Sequence, residues 1–305
     1  MLRLRAQLLK KIRDFFASRN VLEVETPLLC QSTITAPYLH SLTTRYHLPG
    51  QNNKPTTLYL QTSPEFAMKK LLANGSGDIY QICKAFRDEE CGALHNLEFT
   101  ILEWYRIGFD HHKLMNEMDD FLQFTLNSSK AKRYSYAEIF QKYLNINCLA
   151  ASNSELIECA KKNGFTDLAI FANEDKDTIL QLLLAQFIEP HLGKKVPVFI
   201  YDYPPSQAAL AQISTTEPKV GERFEVYING VELANGFHEL NKGQEQKERF
   251  LHDLKIRQKL RLPKIPLDNE FLEAVEKLPN CAGVALGVDR LLMLIAKVNS
   301  LSDVL

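Results

Sequence analysis

The sequence predicts an α+β fold, an antiparallel sheet flanked by helices, and three stretches predict it. From Ile79 to Arg106, two apolar runs enclose a charged loop (IYQICKAFRDEECGALHNLEFTILEWYR) and read as a pair of strands. From Arg223 to Asn235, an alternating stretch turns at Asn229-Gly230, the dipeptide of a two-residue hairpin. From Gly283, a glycine-bearing apolar run passes into Asp289-Arg290-Leu291-Leu292-Met293, a strand feeding a helix.

The remaining elements follow in chain order. Leu4, Leu8, Ile12 and Phe15 sit at helical spacing, predicting an amphipathic helix over residues 2–18. Residues 58–72 read as a strand followed by a helix starting near Pro64. A helix over 111–126 carries Leu114, Met118, Phe121 and Leu122. Residues 127–196 read as an inserted helical region. There Ser152-x-x-Glu155 is a capping box with Gly164 as its C′ stop, and a helix over Thr178 to Ile188 halts before Pro190. Strands return at 197–202 and 223–235, followed by a charged helix over 244–260. No repeat or low-complexity linker interrupts the chain, so residues 1–305 are expected to form one domain.

Composition narrows the function. The 305 residues allow one large domain or two ordinary ones. Lys+Arg number 36 against Asp+Glu 37, a net charge of -1, which weighs against a large nucleic-acid footprint built on phosphate neutralisation. The six cysteines contain no C-x-x-C, so free thiols in a reducing cytoplasm are expected. No apolar run approaches the ~20 residues of a membrane span. The cationic start, RLRAQLLKKIRDFF, has charges in every apolar run and so no signal-peptide core.

The loop after Phe86 places Arg87, Asp88 and Glu89 opposite His95, Asn96 and Phe99, a concentration of cation, carboxylate and donors over a rigid platform. A solvated turn is the plainer reading, but it needs neither an arginine at the strand end nor an aromatic beyond a His-Asn pair. The Asn-Gly hairpin is expected to pair Ile228 with Val231, Tyr227 with Glu232 and Glu225 with Ala234. Glu225 and Glu232 then share a face as diagonal neighbours ~7–8 Å apart. Two such carboxylates make either an acidic solvent face or a site for hard Mg²⁺ bridging phosphates.

The 79–106 stretch resembles motif 2 of the class II aminoacyl-tRNA synthetases, in the lysine-activating branch. Gly283 to Met293 resembles motif 3, and Val21-Leu22-Glu23-Val24-Glu25-Thr26-Pro27 resembles motif 1, the dimer-forming element. The resemblance implies activation of an amino acid with ATP and Mg²⁺. It implies Arg87 bridging the substrate carboxylate and the α-phosphate, and Arg290 on the γ-phosphate. Asp88, Glu89, His95 and Asn96 would line the nucleotide, Phe99 would stack on adenine, and Glu232, Leu233 and Gly287 would complete the ATP contacts. Glu225 and Glu232 match the metal glutamates of the branch. Ser63, Pro64, Glu65, Glu103, Tyr105, Asn235, Phe237, Glu239 and Ala285 match amino-acid-pocket positions, and the acidic pocket suits a lysine-like ammonium.

Two departures refine this. Lysyl-tRNA synthetases carry Gly-Leu-Gly-Ile-Gly where this chain has Gly283-Val284-Ala285-Leu286-Gly287, and only about twenty residues precede motif 1, too few for a five-stranded anticodon-binding barrel. With the run Gln207 to Ser214, these features resemble the truncated lysyl-tRNA synthetase paralogues that modify a translation factor. The resemblance implies activation of (R)-β-lysine, or lysine, as an adenylate and transfer to a lysine of elongation factor P. It also implies a cytoplasmic homodimer without membrane attachment or stable tRNA binding. The competing readings are a minimal lysyl-tRNA synthetase, an asparagine-synthetase-like paralogue, which the acidic pocket disfavours, and a catalytically inactive regulator. A regulator should have lost some of Arg87, Glu225, Glu232 and Arg290, and none is lost.

Overall fold

The computed structural model describes residues 1–47, 55–88, 92–165 and 174–305. These divide into two compact units, Met1–Phe109 with Leu240–Leu305, and Asp110–Glu239. In chain order the first unit begins with α1 (Leu2–Ala17), β1 (Leu22–Glu23), β2 (Leu29–Cys30), β3 (Thr43–Tyr46), β4 (Thr56–Leu60), α2 (Glu65–Ala73), β5 (Ile79–Phe86) and β6 (Glu98–Ile107). The second unit holds α3 (His111–Leu126), β7 (Lys132–Ser135), α4 (Tyr136–Leu144), α5 (Asn153–Lys162), α6 (Lys176–Leu183), β8 (Val198–Tyr203), β9 (Gly221–Ile228) and β10 (Val231–His238). The chain then completes the first unit with α7 (Gly243–Lys259), α8 (Asn269–Glu276), β11 (Cys281–Gly287) and α9 (Val288–Ala296).

In the first unit the strands run β1-β5-β6-β11. β1 is parallel to β5, and β5/β6 and β6/β11 are antiparallel. Glu103 on β6 faces Gln81 on β5 and Ala285 on β11, while Tyr105 faces Ile79 and Gly283. Side chains alternate across a strand, so Phe99, Glu103, Tyr105, Gly283, Ala285 and Gly287 lie on one face. The opposite face is the hydrophobic floor. There Trp104 is wholly buried, and Phe16 of α1 stacks on Tyr80 at 4.3 Å with Trp104 edge-on at 5.3 Å. The buried stripe of α1 is Leu8, Ile12, Phe15 and Phe16, helical spacing as expected. A smaller sheet, β2-β4-β3, joins motif 1 to the strand before α2. Phe66 of α2 stacks on Phe271 of α8 at 3.9 Å.

In the second unit the order is β10-β9-β8-β7, antiparallel except for β7 beside β8. Tyr136, Ile139, Phe140, Leu156, Ile179, Leu180 and Ile200 form its buried core. Ser135 and Ser152 both close reciprocal capping boxes, with Glu138 and Glu155. The helix expected over Thr178 to Ile188 instead starts at Lys176, where Asp175 caps the Thr178 N–H at 2.9 Å, and ends in a π-turn over Leu184–Ile188.

The hairpin corrects one expectation. Asn229 (φ 55°) and Gly230 (φ 81°) make the two-residue turn, with Ile228 opposite Val231 and Tyr227 opposite Glu232. Beyond Glu232 a bulge at Leu233 shifts the register, so Asn235, not Ala234, lies opposite Glu225. One extra residue reverses the alternation. It places Glu225, Glu232, Asn235 and Phe237 on one face, where a regular ladder would have sent Asn235 and Phe237 to the other. The turn is anchored by Gly193, whose added Cβ would meet Ile228 Cα at 2.5 Å, and by Leu192 O accepting the Gly230 N–H at 2.8 Å.

Candidate active site

The predicted residues fall into two groups, one in each unit. In the first unit Glu103, 2% exposed, sits mid-strand on β6. Tyr105 Oη donates to its Oε1 at 2.5 Å and Ser63 Oγ to its Oε2 at 2.7 Å. Ser63 Oγ also accepts the Glu65 N–H at 3.1 Å, with Pro64 at the N-cap of α2. Burial, and secondarily the neighbouring Glu65, push Glu103 up to about 7 against the hydrogen bonds from Tyr105 and Ser63. One turn on, the fully buried Lys69 reaches Glu65 Oε1 at 2.6 Å. Lys69 tempers the acidic pocket expected from Glu65 and Glu103, and its i,i+4 spacing from Glu65 was the available signal. Ala285, opposite Glu103, is flanked on its face by Gly283 and Gly287, so β11 presents nothing larger than a methyl there.

The nucleotide-type residues of this unit gather at the far ends of β5 and β6. The Arg87 guanidinium lies 5.1 Å from the Phe99 ring centroid. Asp88 is held by its N–H, which donates to His40 O at 2.8 Å. Arg290, in the first turn of α9 after Gly287, donates through Nε to Leu94 O at 3.2 Å, and its Nη2 lies 2.9 Å from His95 Nε2. Guanidinium has only donors, so His95 accepts through that nitrogen. Asn96 Nδ2 donates to Glu98 O at 2.6 Å. Glu89 lies outside the described residues. Asp289, which sequence reasoning passed over, is 2% exposed, accepts the Thr100 N–H at 2.6 Å and pairs with Arg5 at 2.7 Å. It fixes the start of α9, and hence Arg290, against β6.

In the second unit Glu225, 6% exposed, accepts from Tyr203 Oη at 2.6 Å and Tyr227 Oη at 2.5 Å, and pairs closely with Arg223 Nη2. Arg223 Nε donates to Asn235 Oδ1 at 3.1 Å, and the guanidinium lies 6.0 Å from the Phe237 ring. Burial opposes the Arg223 charge, yet Glu225, Tyr203 and Glu232 outweigh it and raise its pKa. Burial, then Glu225, holds both tyrosines well above their ordinary value. Arg223, Tyr203 and Tyr227 were missed at the sequence level, although Arg223-x-Glu225-x-Tyr227 shows the alternation of one strand face. Glu225, Glu232 and Asn235 put oxygen atoms on one face, but Arg223 holds both Glu225 and Asn235 and two tyrosines donate to Glu225, so Mg²⁺ there would have to displace those donors. Leu233 is the buried bulge residue. Glu239, 1% exposed, bridges Ala211 through its backbone, and its carbonyl accepts from Gln212 Nε2 at 2.9 Å.

Comparison with known proteins adds a family. The model for class II tRNA synthetases (D, K and N) matches residues 1–305. Proteins named elongation factor P–(R)-beta-lysine ligase from Salmonella arizonae, Salmonella paratyphi B and Salmonella heidelberg are each 50% identical over 302 residues, 99% of this chain and 92% of the relative.

Proposed function

The chain belongs to the class II tRNA synthetases of the D, K and N group, and from that premise we propose that it activates (R)-β-lysine, or lysine, with ATP and transfers it to a lysine of elongation factor P. The observation that carries the reading is the buried Glu103, held by Tyr105 and Ser63 beside Glu65 and facing the methyl-only strand at Ala285. A desolvated ammonium requires such a carboxylate partner. The 50% identity to relatives bearing the ligase name supports the same substrate and acceptor.

In the first step the amino-acid carboxylate oxygen attacks the α-phosphorus, the new C–O–P link forms and pyrophosphate leaves. In the second, the neutral ε-amine of the acceptor attacks the acyl carbon, the amide forms, AMP departs and the amine gives up a proton. On this reading Glu103, Glu65 and Tyr105 hold the substrate ammonium with Ala285 beside them, and Asn235, Phe237 and Glu239 are substrate-binding residues of the second unit. Arg87 orients the carboxylate against the α-phosphate, as a planar fork suits two oxygens at once. Arg290 and His95 hold the terminal phosphates, and Phe99 offers its ring to adenine. Magnesium, when bound by Glu225 and Glu232, neutralises phosphate charge.

Incubating the enzyme and ATP with labelled (R)-β-lysine and either elongation factor P or tRNA tests the proposal. Label is expected on the protein factor, as an amide stable to mild alkali. Robust charging of tRNA with none on the factor would overturn it in favour of a minimal synthetase.

A further inference from the structure

On the face of β9 and β10 turned away from Glu225 and Asn235, side chains meet that the proposed reaction does not use. His111 opens α3, Glu222 precedes Arg223 on β9, and His238 follows Phe237 on β10. Donor atoms of these three lie within 4.8 Å of one another. His238 Nδ1 and Glu222 Oε2 are in close contact. His111 is 5% exposed, with Nε2 3.0 Å from Asp202 Oδ1 and a buried Nδ1 that has no hydrogen-bond partner. Asp202 stands in the left-handed region (φ 59°), where the register of β8 shifts against β9.

We propose that His111, Glu222 and His238 bind a zinc-type divalent cation, with Asp202 as the positioning carboxylate. Asp202 accepts the His111 Nε2–H, which sets the tautomer and leaves a lone pair on the buried Nδ1. A carboxylate behind a metal-binding histidine does this in metalloprotein sites generally. A buried acceptor without a donor is costly unless a ligand occupies it. Glu222 accepts the His238 Nδ1–H; a cation would take that proton's place, bonding to both and to His111, with the proton passing to solvent or to His238 Nε2. Two imidazole nitrogens and one carboxylate suit Zn²⁺, whereas the all-oxygen set across the sheet suits Mg²⁺. The two sites therefore differ in place and in preferred ion.

The full-length chain, stripped with chelator, reloaded with Zn²⁺ or Co²⁺ and desalted, is assayed by elemental analysis. About one equivalent is expected, and the Co²⁺ form should show d–d bands without the strong thiolate charge transfer of a cysteine site. His111→Ala and His238→Gln should abolish retention, Glu225→Gln should leave it unchanged, and Asp202→Asn should weaken affinity roughly 10–100-fold. Circular dichroism checks that each variant is folded. A wild-type chain that retains no metal, retention unaltered in both folded histidine variants, or a thiolate spectrum overturns the site.

Discussion

At the scale of the residue, Glu103 carries a measurable pH signature. Its native pKa, up to about 7, exceeds the ordinary 4.5, so the folded chain keeps a proton that the unfolded chain loses between those values. Stability is therefore expected to fall as pH rises through that window, and Glu103→Gln should flatten the dependence. Only the carboxylate form attracts an ammonium, so KM for the amino acid should drop as pH rises through about 7 in the wild type and not in Glu103→Gln. A wild-type KM profile matching the variant's would remove Glu103 from substrate binding. Ala285 faces Glu103 across the β11/β6 ladder. Removing its methyl should raise activity with α-lysine relative to (R)-β-lysine, by roughly ten- to two-hundred-fold in kcat/KM. An unaltered ratio would exclude Ala285 from isomer choice. Arg87, Arg290 and the pocket carboxylates stood out in the sequence because each sits in a motif, while Tyr203 sits a whole strand away from the Glu225 that it hydrogen-bonds.

At the scale of the element, the β9/β10 hairpin matters most. Its Asn-Gly turn was readable, but its bulge was not, because the unpaired residue is an ordinary leucine rather than a glycine. The bulge brings Asn235 and Phe237 to the face that Glu225 and Glu232 already share. If that face serves phosphate-bound Mg²⁺, Glu232→Gln should cut lysine-dependent ATP–pyrophosphate exchange by orders of magnitude while leaving the circular dichroism spectrum intact. Near-normal exchange would show that the glutamate has another role. The capping boxes at Ser135 and Ser152 needed no tertiary information, since both partners lie within one turn.

At the scale of the molecule, the motif 1 segment leaves apolar surface in the single chain. Leu22, Leu28 and Leu29 are 56%, 38% and 49% exposed, although Val21 is buried within its own unit. Exposed apolar clusters of this kind mark interaction surfaces, and the commonest closed assembly is a two-fold dimer. Light scattering at micromolar concentration should return about twice the 34.9 kDa chain mass; one chain mass would refute the dimer. Among the described residues no helix is long and apolar enough to cross a membrane. Their five cysteines are free thiols, in keeping with the absence of paired spacing.

The sequence by itself determined the α+β class, the hairpin turn and the capping box at Ser152, while the short strands β3 and β7 and the helices α4 and α8 went unread. What was read depends on side-chain period and on partners a few residues apart, which a linear chain displays. Tertiary structure alone decided the bulge that adds Asn235 and Phe237 to the face of Glu225 and Glu232. It also decided the tyrosine and arginine cage around Glu225, and the meeting of His111, Asp202, Glu222 and His238. His111 and His238 lie far apart along the chain, and only the pairing of β8, β9 and β10 against the start of α3 brings their nitrogens within reach of one ion.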